Sequence, residues 1–169
     1  MLNSIITQDH DGQNLFNAIF SFSSTFGIEN LLRKCNAKKE KGVPVLDIFK
    51  YKLCNVFSDR SLYMQQKTGS FKEEFSKNTF YRFLNNPKTN WLHFTTLLSK
   101  KLADTVEPLT NGDRINAFVV DDSFFERSSC KKTELGSRVF DHVSMKYRKG
   151  YRLMTLGWTD GNTFLPVNS

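Results

Sequence analysis

The feature that most constrains this chain is a change in the spacing of its apolar residues at Pro108. Before Pro108, apolar residues recur every three or four positions, which is the spacing of helices that bury one face. After a turn-forming cluster at residues 110–113, the segment Ile115–Val120 is apolar on both alternating faces, which favours a strand buried inside a sheet. The change predicts an α+β chain, with a helical region over residues 1–107 and strands over residues 108–169.

The helical region divides at residues that break or start helices. Gly27 interrupts the first apolar stripe, and Pro44 precedes the strongest one. Ser61 is the expected N-cap of the fourth helix, and either Ser76 or Asn78 is the expected N-cap of the fifth. The stripes predict helices through Leu15–Phe26, Ile28–Leu32, Val45–Phe57, Leu62–Lys67, Phe80–Leu84 and Trp91–Leu102.

The strand region predicts a hairpin near the end of the sequence. Tyr151–Trp158 forms the first arm, Asp160-Gly161 is a strong two-residue turn signal, and Phe164–Val167 forms the second arm. Pro166 has no N–H for a ladder hydrogen bond, so this second arm is expected at the edge of the sheet.

The charge balance favours a polyanionic partner. The chain has 24 Lys+Arg against 17 Asp+Glu, a net charge of +7 and an isoelectric point near 9.4. A short helix, a brief turn and a second basic helix resemble a helix-turn-helix layout, and a solvated basic helix face is the alternative. The predicted DNA-binding residues of this layout are Lys77, Asn78, Thr79, Arg82 and Lys88.

A second basic region follows the first strand. Arg127, Lys131 and Lys132 are candidates for contacts with DNA phosphates, with a solvated loop as the alternative.

Other composition features exclude several classes of protein. No apolar run approaches the roughly 20 residues that a membrane helix needs, and Asp9 and Asp11 do not suit a signal peptide. The three cysteines lie far apart without a CxxC pair, which argues against a disulfide framework or a zinc site and favours a reducing cytoplasm.

The run Asp121-Asp122-Ser123 directly follows the apolar strand. Carboxylates at the tip of a buried strand are costly to desolvate unless they bind a metal or backbone donors. Because side chains alternate along a strand, Asp121 and Asp122 point to opposite sides, so that only one of them enters a given site. The alternative is an acidic pair that caps the next turn.

Several segments together resemble bacterial transposases of the insertion-sequence family-four group, whose catalytic core is a ribonuclease-H-like DDE domain. The segments that carry the resemblance are Gly27–Asn36 (GIENLLRKCN), Thr79–Asn85 (TFYRFLN), Phe118–Ser123 (FVVDDS), Arg127, Arg138–His142 (RVFDH), Lys149–Tyr151 (KGY), Leu156–Gly161 (LGWTDG) and Phe164–Val167 (FLPV).

The resemblance implies a metal-dependent reaction on transposon ends and target DNA. In this family three carboxylates hold two Mg²⁺ or Mn²⁺ ions, and the first carboxylate closes the first core strand. Asp121 is the best match to that catalytic and metal-binding position, with Asp122 as the rival. The family's second Asp and its Glu come later in the chain than Ser169, so the resemblance implies an N-terminal fragment, expected to be inactive, that ends inside the catalytic domain.

The resemblance also implies an arrangement of the strands and a set of partners. In the family's strand order, 3-2-1-4-5, strand one is central and strand three is an edge, so residues 108–169 are expected to hold the first three antiparallel strands. The expected partners are DNA and either a second copy or a full-length transposase, in the bacterial cytoplasm at the nucleoid, and no membrane. The competing hypotheses are a DNA-binding or inhibitory module without catalysis, and a helical regulator whose hairpin only dimerises.

Overall fold

A computed structural model describes residues 10–57, 61–69, 75–109, 114–129 and 134–169. The chain forms two compact units, Met1–Leu98 and Ser99–Ser169. The described helices are α1 (His10–Thr25), α2 (Ile28–Lys34), α3 (Val45–Phe57), α4 (Leu62–Lys67), α5 (Lys77–Leu84) and α6 (Trp91–Val106), with a 3₁₀ turn at Glu107–Leu109. The described strands are β1 (Ala117–Glu126), β2 (Ser137–Asp141), β3 (Lys146–Thr159) and β4 (Phe164–Asn168). The predicted α+β class is confirmed, and the domain boundary after residue 107 stays a prediction.

The helices are separated at the residues that the sequence indicates, although α1, α5 and α6 are longer than their apolar stripes. Gly27 lies between α1 and α2 with a φ of 58°, a left-handed conformation that glycine adopts at low cost. The Ser61 and Ser76 side chains accept hydrogen bonds from the backbone N–H groups of Met64 and Thr79, both at 3.2 Å. These two caps satisfy N–H groups that the first turns of α4 and α5 leave unpaired.

The first unit is built around a buried core between its helices. Ile28 and Ile48 are fully buried, and Tyr51 packs its ring edge-on against Phe75 and Phe80 at centroid distances of 5.2 and 5.6 Å. The Tyr51 hydroxyl donates to Oε1 of Gln65 at 2.6 Å, so this aromatic side chain is held at both its ring and its polar end.

The core determines the orientation of α5. Phe80 and Phe83 are buried, and the Phe83 ring lies edge-on to Trp91 at 5.4 Å. Since residues three apart share one helix face, these two phenylalanines fix the inner face of α5. Lys77, Asn78, Tyr81 and Arg82 are therefore exposed on the outer side of the helix, whereas Leu84 packs partly buried against the core.

The second unit contains a four-stranded antiparallel sheet organised around β3. β1 pairs with β3 along its whole length, while β2 and β4 pair with the two ends of β3 on its other side. The Asp160-Gly161 turn is confirmed, with a φ of 91° at Gly161. β4 pairs only with β3 among the described strands, and the Pro166 carbonyl accepts a hydrogen bond from the Ser99 hydroxyl at 3.0 Å, so the predicted edge position of this strand is confirmed.

Three details of the sheet correct the sequence-based expectations. There are four strands rather than three, because residues Ser137–Asp141 form β2. β1 continues to Glu126, so Asp121 and Asp122 lie in the middle of a strand and not at its tip. The strand is also not buried: Phe118 is 72 % exposed and Val120 is 61 % exposed. Apolar residues on both faces make a strand suitable for burial, but burial requires a covering layer, and these side chains have none in the described part of the chain.

Candidate nucleic-acid interface and carboxylate strand

The outward face of α5, formed by Lys77, Asn78, Tyr81 and Arg82, is the first candidate surface; it is called the α5 face below. All four residues are exposed. Arg82 Nε donates to the Asn78 carbonyl at 3.2 Å, and the Lys77 ammonium lies 5.9 Å from the centroid of the Tyr81 ring. These contacts hold two cations on one side of a short helix, where they can contact phosphate groups.

An open groove of about 670 Å³ lies along this face. Its lining residues are Asn78, Tyr81, Arg82, Asn85, Asn86 and Pro87. Asparagine and arginine are the side chains that make bidentate hydrogen bonds with adenine and guanine edges. The groove therefore combines positive charge with groups that can read bases.

A smaller cavity of about 230 Å³, called the lysine cavity below, shares Arg82 and Asn86 with the groove. Its lining residues are Ala37, Lys38, Lys39, Val45, Thr79, Arg82, Phe83, Asn86 and Thr89. Sequence reasoning missed Lys38 and Lys39 as functional candidates, since their polar run indicates only the end of a helix. The tertiary fold brings Lys38 and Lys39 to the same cavity as Arg82, and no local sequence pattern predicts contact between residues so far apart in the chain.

Thr79 and Lys88 occupy different positions from the rest of the predicted set. The Thr79 hydroxyl lies 3.1 Å from the Ser76 hydroxyl at the start of α5, and its side chain lines the lysine cavity. Lys88 is exposed and lines neither cavity; its carbonyl accepts from Asn36 Nδ2 at 3.0 Å.

In the second unit, β1 carries the two adjacent carboxylates on opposite faces of the sheet. Asp121 stands opposite Thr155 of β3, and Asp122 stands opposite Met154. Asp122 forms an ion pair with Arg152, 3.1 Å between Oδ2 and Nη1, whereas Asp121 accepts a 2.6 Å hydrogen bond from the Ser123 hydroxyl. Alternation thus separates the two acids as expected, and the arginine already neutralises Asp122.

The described residues do not by themselves fit a two-metal centre. Among them, no group of three or more His, Cys, Asp or Glu side chains is placed to hold a metal ion. A pair of Mg²⁺ or Mn²⁺ ions requires several oxygen ligands, and the Asp121 face offers one carboxylate with neighbouring hydroxyl groups of Ser123 and Thr155. This arrangement alone supports no catalytic step through a metal.

The second basic region is described only in part. Arg127 is exposed directly after β1, and its backbone N–H donates to the Lys149 carbonyl at 2.8 Å, which leaves the guanidinium at the surface. Lys131 and Lys132 lie outside the described residues, so their DNA contacts stay predictions.

Two other acids of the sheet have structural roles. Hydrogen bonds from the Ser144 hydroxyl and the Val143 N–H lower the pKa of Asp141. Asp160 is buried in the hairpin turn, where the Thr163 and Asn162 N–H groups and the Arg114 guanidinium, 2.9 Å away, lower its pKa to about 2. These partners hold the Asp160 carboxylate within the hairpin turn, so its burial and low pKa are explained by the structure of the turn and not by catalysis.

The architecture is that of a basic α+β protein with an acid-bearing antiparallel sheet, a class that includes nucleic-acid-processing enzymes. The family model for a DDE superfamily endonuclease matches residues 60–169, which is more than half of the sequence. The chain therefore belongs to the DDE superfamily endonuclease family, and the predicted resemblance is confirmed at that level. No curated protein and no solved structure matches the chain.

Membership defines the general chemistry of the family. DDE endonucleases act on DNA and generally use divalent metal ions. No helix in the described ranges has both the length and the apolar character needed to cross a membrane.

Proposed function

We propose that this chain is part of an insertion-sequence transposase of bacterial origin, in which the helical unit binds DNA and β1 supplies one carboxylate of the catalytic set. The observation that carries the proposal is the family match over residues 60–169, which spans both α5 and β1. The resemblance of the quoted segments to the family-four group supports the narrower assignment.

The α5 face is the proposed DNA-contacting surface. It presents cations, amides and a phenol next to an open groove, while Phe80 and Phe83 anchor the helix to the core. A rigidly held, exposed basic helix is the geometry by which helix-turn-helix proteins approach a duplex. Phosphate contacts would give most of the affinity, and the asparagines would contribute base contacts.

Asp121 is the proposed catalytic and metal-binding carboxylate. Its rival Asp122 is paired with Arg152, and displacing that guanidinium would cost an ion pair before a metal could bind. Asp121 accepts its hydrogen bond from a neutral hydroxyl, so it can exchange this bond for a cation. The other carboxylates of the set are proposed to come from residues outside this sequence.

For residues 1–169 alone, we therefore expect DNA binding without cleavage. One carboxylate does not hold two divalent ions against water, because Mg²⁺ keeps its own water ligands readily. Incubation of the purified chain with labelled transposon-end DNA and Mn²⁺ should give a complex and no nicked product. Nicking that is absent from an Asp121→Ala control would contradict this expectation.

The DNA-binding part is tested by the dependence of affinity on salt. Replacing Lys77 and Arg82, the two cations of the α5 face, by alanine should reduce the slope of log affinity against log salt by about 0.9 for each phosphate that is no longer neutralised. The matched control replaces Lys34 and Lys41, two exposed lysines that line neither cavity. An equal effect of the two pairs would show that binding depends on net charge and not on the α5 face.

The assignment of Asp121 is tested in the completed protein. Asp121→Asn should abolish cleavage while end binding persists, and Asp122→Asn should retain cleavage since it removes only an ion pair with Arg152. An inactive Asp122→Asn enzyme together with an active Asp121→Asn enzyme would reverse the assignment.

A further inference from the structure

The lysine cavity has the composition of an anion-binding site. Three cationic residues, Lys38, Lys39 and Arg82, line it, and none of its lining residues is acidic. Thr79, Asn86 and Thr89 add hydroxyl and amide groups that can donate hydrogen bonds. An anion in this cavity would meet positive charge and donors without an opposing carboxylate from the lining residues.

The walls of the cavity are connected by hydrogen bonds between distant segments. Asn36 Nδ2 donates to the Lys88 carbonyl at 3.0 Å, and the Asn90 N–H donates to the Cys35 carbonyl at 2.9 Å. These bonds join the segment after α2 to the segment before α6, which are the segments that carry the lysines and Thr89. A cavity preorganised in this way loses little conformational entropy when a ligand binds.

Thr89 supplies an independent indication of a ligand. Thr89 lines the cavity and is only 8 % exposed, and its buried hydroxyl has no hydrogen-bond partner within the described ranges. A buried hydroxyl without a partner costs free energy, and such groups are rare in folded proteins. An acceptor bound in the cavity would give this hydroxyl its partner.

Asn86 is oriented for the same role. Its Oδ1 accepts from the Lys88 N–H at 3.0 Å, so the amide hydrogens on Nδ2 are the part of the side chain that can donate to an anion. The side chain also lines the α5 groove, so the groove and the lysine cavity meet at Asn86 and Arg82.

The geometry points to the lysine cavity as a binding site for one phosphate group of the DNA backbone, next to the duplex that the α5 face contacts. This inference rests on the proposed DNA binding and extends it, because it adds Lys38, Lys39, Asn86 and Thr89, which lie outside the helix-turn-helix layout, to the contact made by Arg82. Lys38, Lys39 and Arg82 supply the charge, and Asn86 and Thr89 supply hydrogen bonds. No covalent chemistry is involved.

The first experiment compares two double variants of the full 169-residue chain. Lys38→Ala with Lys39→Ala should lower the slope of log affinity against log salt by about 0.9, the value for one phosphate. Lys34→Ala with Lys41→Ala removes the same charge outside the cavity and should leave the slope unchanged. Normal DNA binding and salt dependence in the Lys38/Lys39 variant would overturn the cavity assignment while the proposed DNA binding stands.

The second experiment identifies the phosphate. Duplexes in which single phosphates are replaced by neutral methylphosphonates should include one position that weakens binding of the natural chain severalfold and has no effect on the Lys38/Lys39 variant. Additive losses at every position would overturn the inference.

The Thr89 variants test the hydrogen bond to this phosphate. Thr89→Val should weaken the contact with that phosphate, and Thr89→Ser, which keeps the hydroxyl, should retain the affinity of the natural chain. Because valine matches threonine in shape, a normal circular dichroism spectrum of Thr89→Val distinguishes removal of a hydrogen bond from misfolding.

A titration with inorganic phosphate distinguishes the DNA backbone from free phosphate as the ligand. If the natural chain shows no salt-dependent DNA binding, both the proposed function and the backbone assignment fail. Amide NMR shifts at Thr79 and Thr89 on addition of phosphate, absent from the Lys38/Lys39 variant, would then assign the cavity to free phosphate. A lack of such shifts would overturn the anion site itself.

Discussion

The two units of this protein use apolar side chains in opposite ways. In the helical unit, Ile28, Leu32 and Ile48 are almost completely buried, and aromatic rings pack edge-on around Tyr51. In the sheet unit, β1 and β3 pair along ten residues, yet Phe118 and Val120 remain largely exposed. The comparison teaches that backbone hydrogen bonding organises the sheet, whereas side-chain burial organises the helices.

The largest expected difference between the units is the response to truncation of an apolar side chain. Ile48→Ala should lower the free energy of unfolding of the helical unit by about 2–5 kcal/mol, since it leaves a cavity in a closed core. Val120→Ala should change the stability of the sheet unit by less than about 0.5 kcal/mol, because the side chain is already in water.

Urea denaturation can measure both effects separately. Trp91 lies in the helical unit and Trp158 in the sheet unit, so each variant can be combined with replacement of the other tryptophan by phenylalanine. Similar losses for Ile48→Ala and Val120→Ala would break the comparison, because they would mean that the β1 surface is covered in solution.

A second test finds a place in the sheet where packing is tight. A Cβ atom at Gly157 would overlap the ring of Phe164, which lies across the strand at this point. Gly157→Ala should destabilise the sheet unit by about 1–3 kcal/mol through overpacking. The effect is measured by Trp158 fluorescence during denaturation, and Phe164→Leu should relieve part of it; an unchanged midpoint for Gly157→Ala would show that the ring moves away freely.

A third test concerns the cap of α5. Ser76→Ala removes the acceptor of the Thr79 N–H and should cost the helical unit about 1 kcal/mol. Ser76→Asp keeps an acceptor and should restore most of this stability. DNA affinity should fall with Ser76→Ala if the α5 face is the contact surface. An unchanged affinity would show that DNA binding does not depend on the cap of α5.

A fourth test concerns the sheet unit at acid pH. The pKa of Asp160 is lowered to about 2, from 3.8 in the unfolded chain, so the unfolded state binds the proton more tightly. The stabilisation by this carboxylate is therefore complete above about pH 4 and is lost as the pH falls through about 2. Asp160→Asn should flatten the pH dependence of the Trp158 transition between about pH 2 and 4, and an unchanged acid transition would assign it to other carboxylates.

The helices could be predicted because their signals are local. Gly27, Pro44, Ser61 and Ser76 act on the turn next to them, and the apolar stripes between them need only one buried side. The Asp160 turn and the edge position of Pro166 were predictable for the same reason.

The parts that could not be predicted depend on contacts between distant residues. β2 has few apolar residues and forms through its pairing with Lys146–Gly150, so its own sequence resembles a polar connection. The exposure of β1 depends on whether another element packs over it, and the alternating pattern of apolar residues along the strand does not contain that information. The lysine cavity likewise requires the segment after α2 to meet α5.

The ion pairs of β1 and β3 have a consequence for how the strands find their alignment. Asp122 pairs with Arg152, and Glu126 pairs with Arg148 at 2.7 Å; each acid contacts the arginine two positions from its direct cross-strand partner. A slip of β3 by a single residue would move both arginines to the opposite face and separate both pairs at once. In a sheet whose apolar side chains lie largely in water, these charges supply a register signal that a buried core would otherwise give.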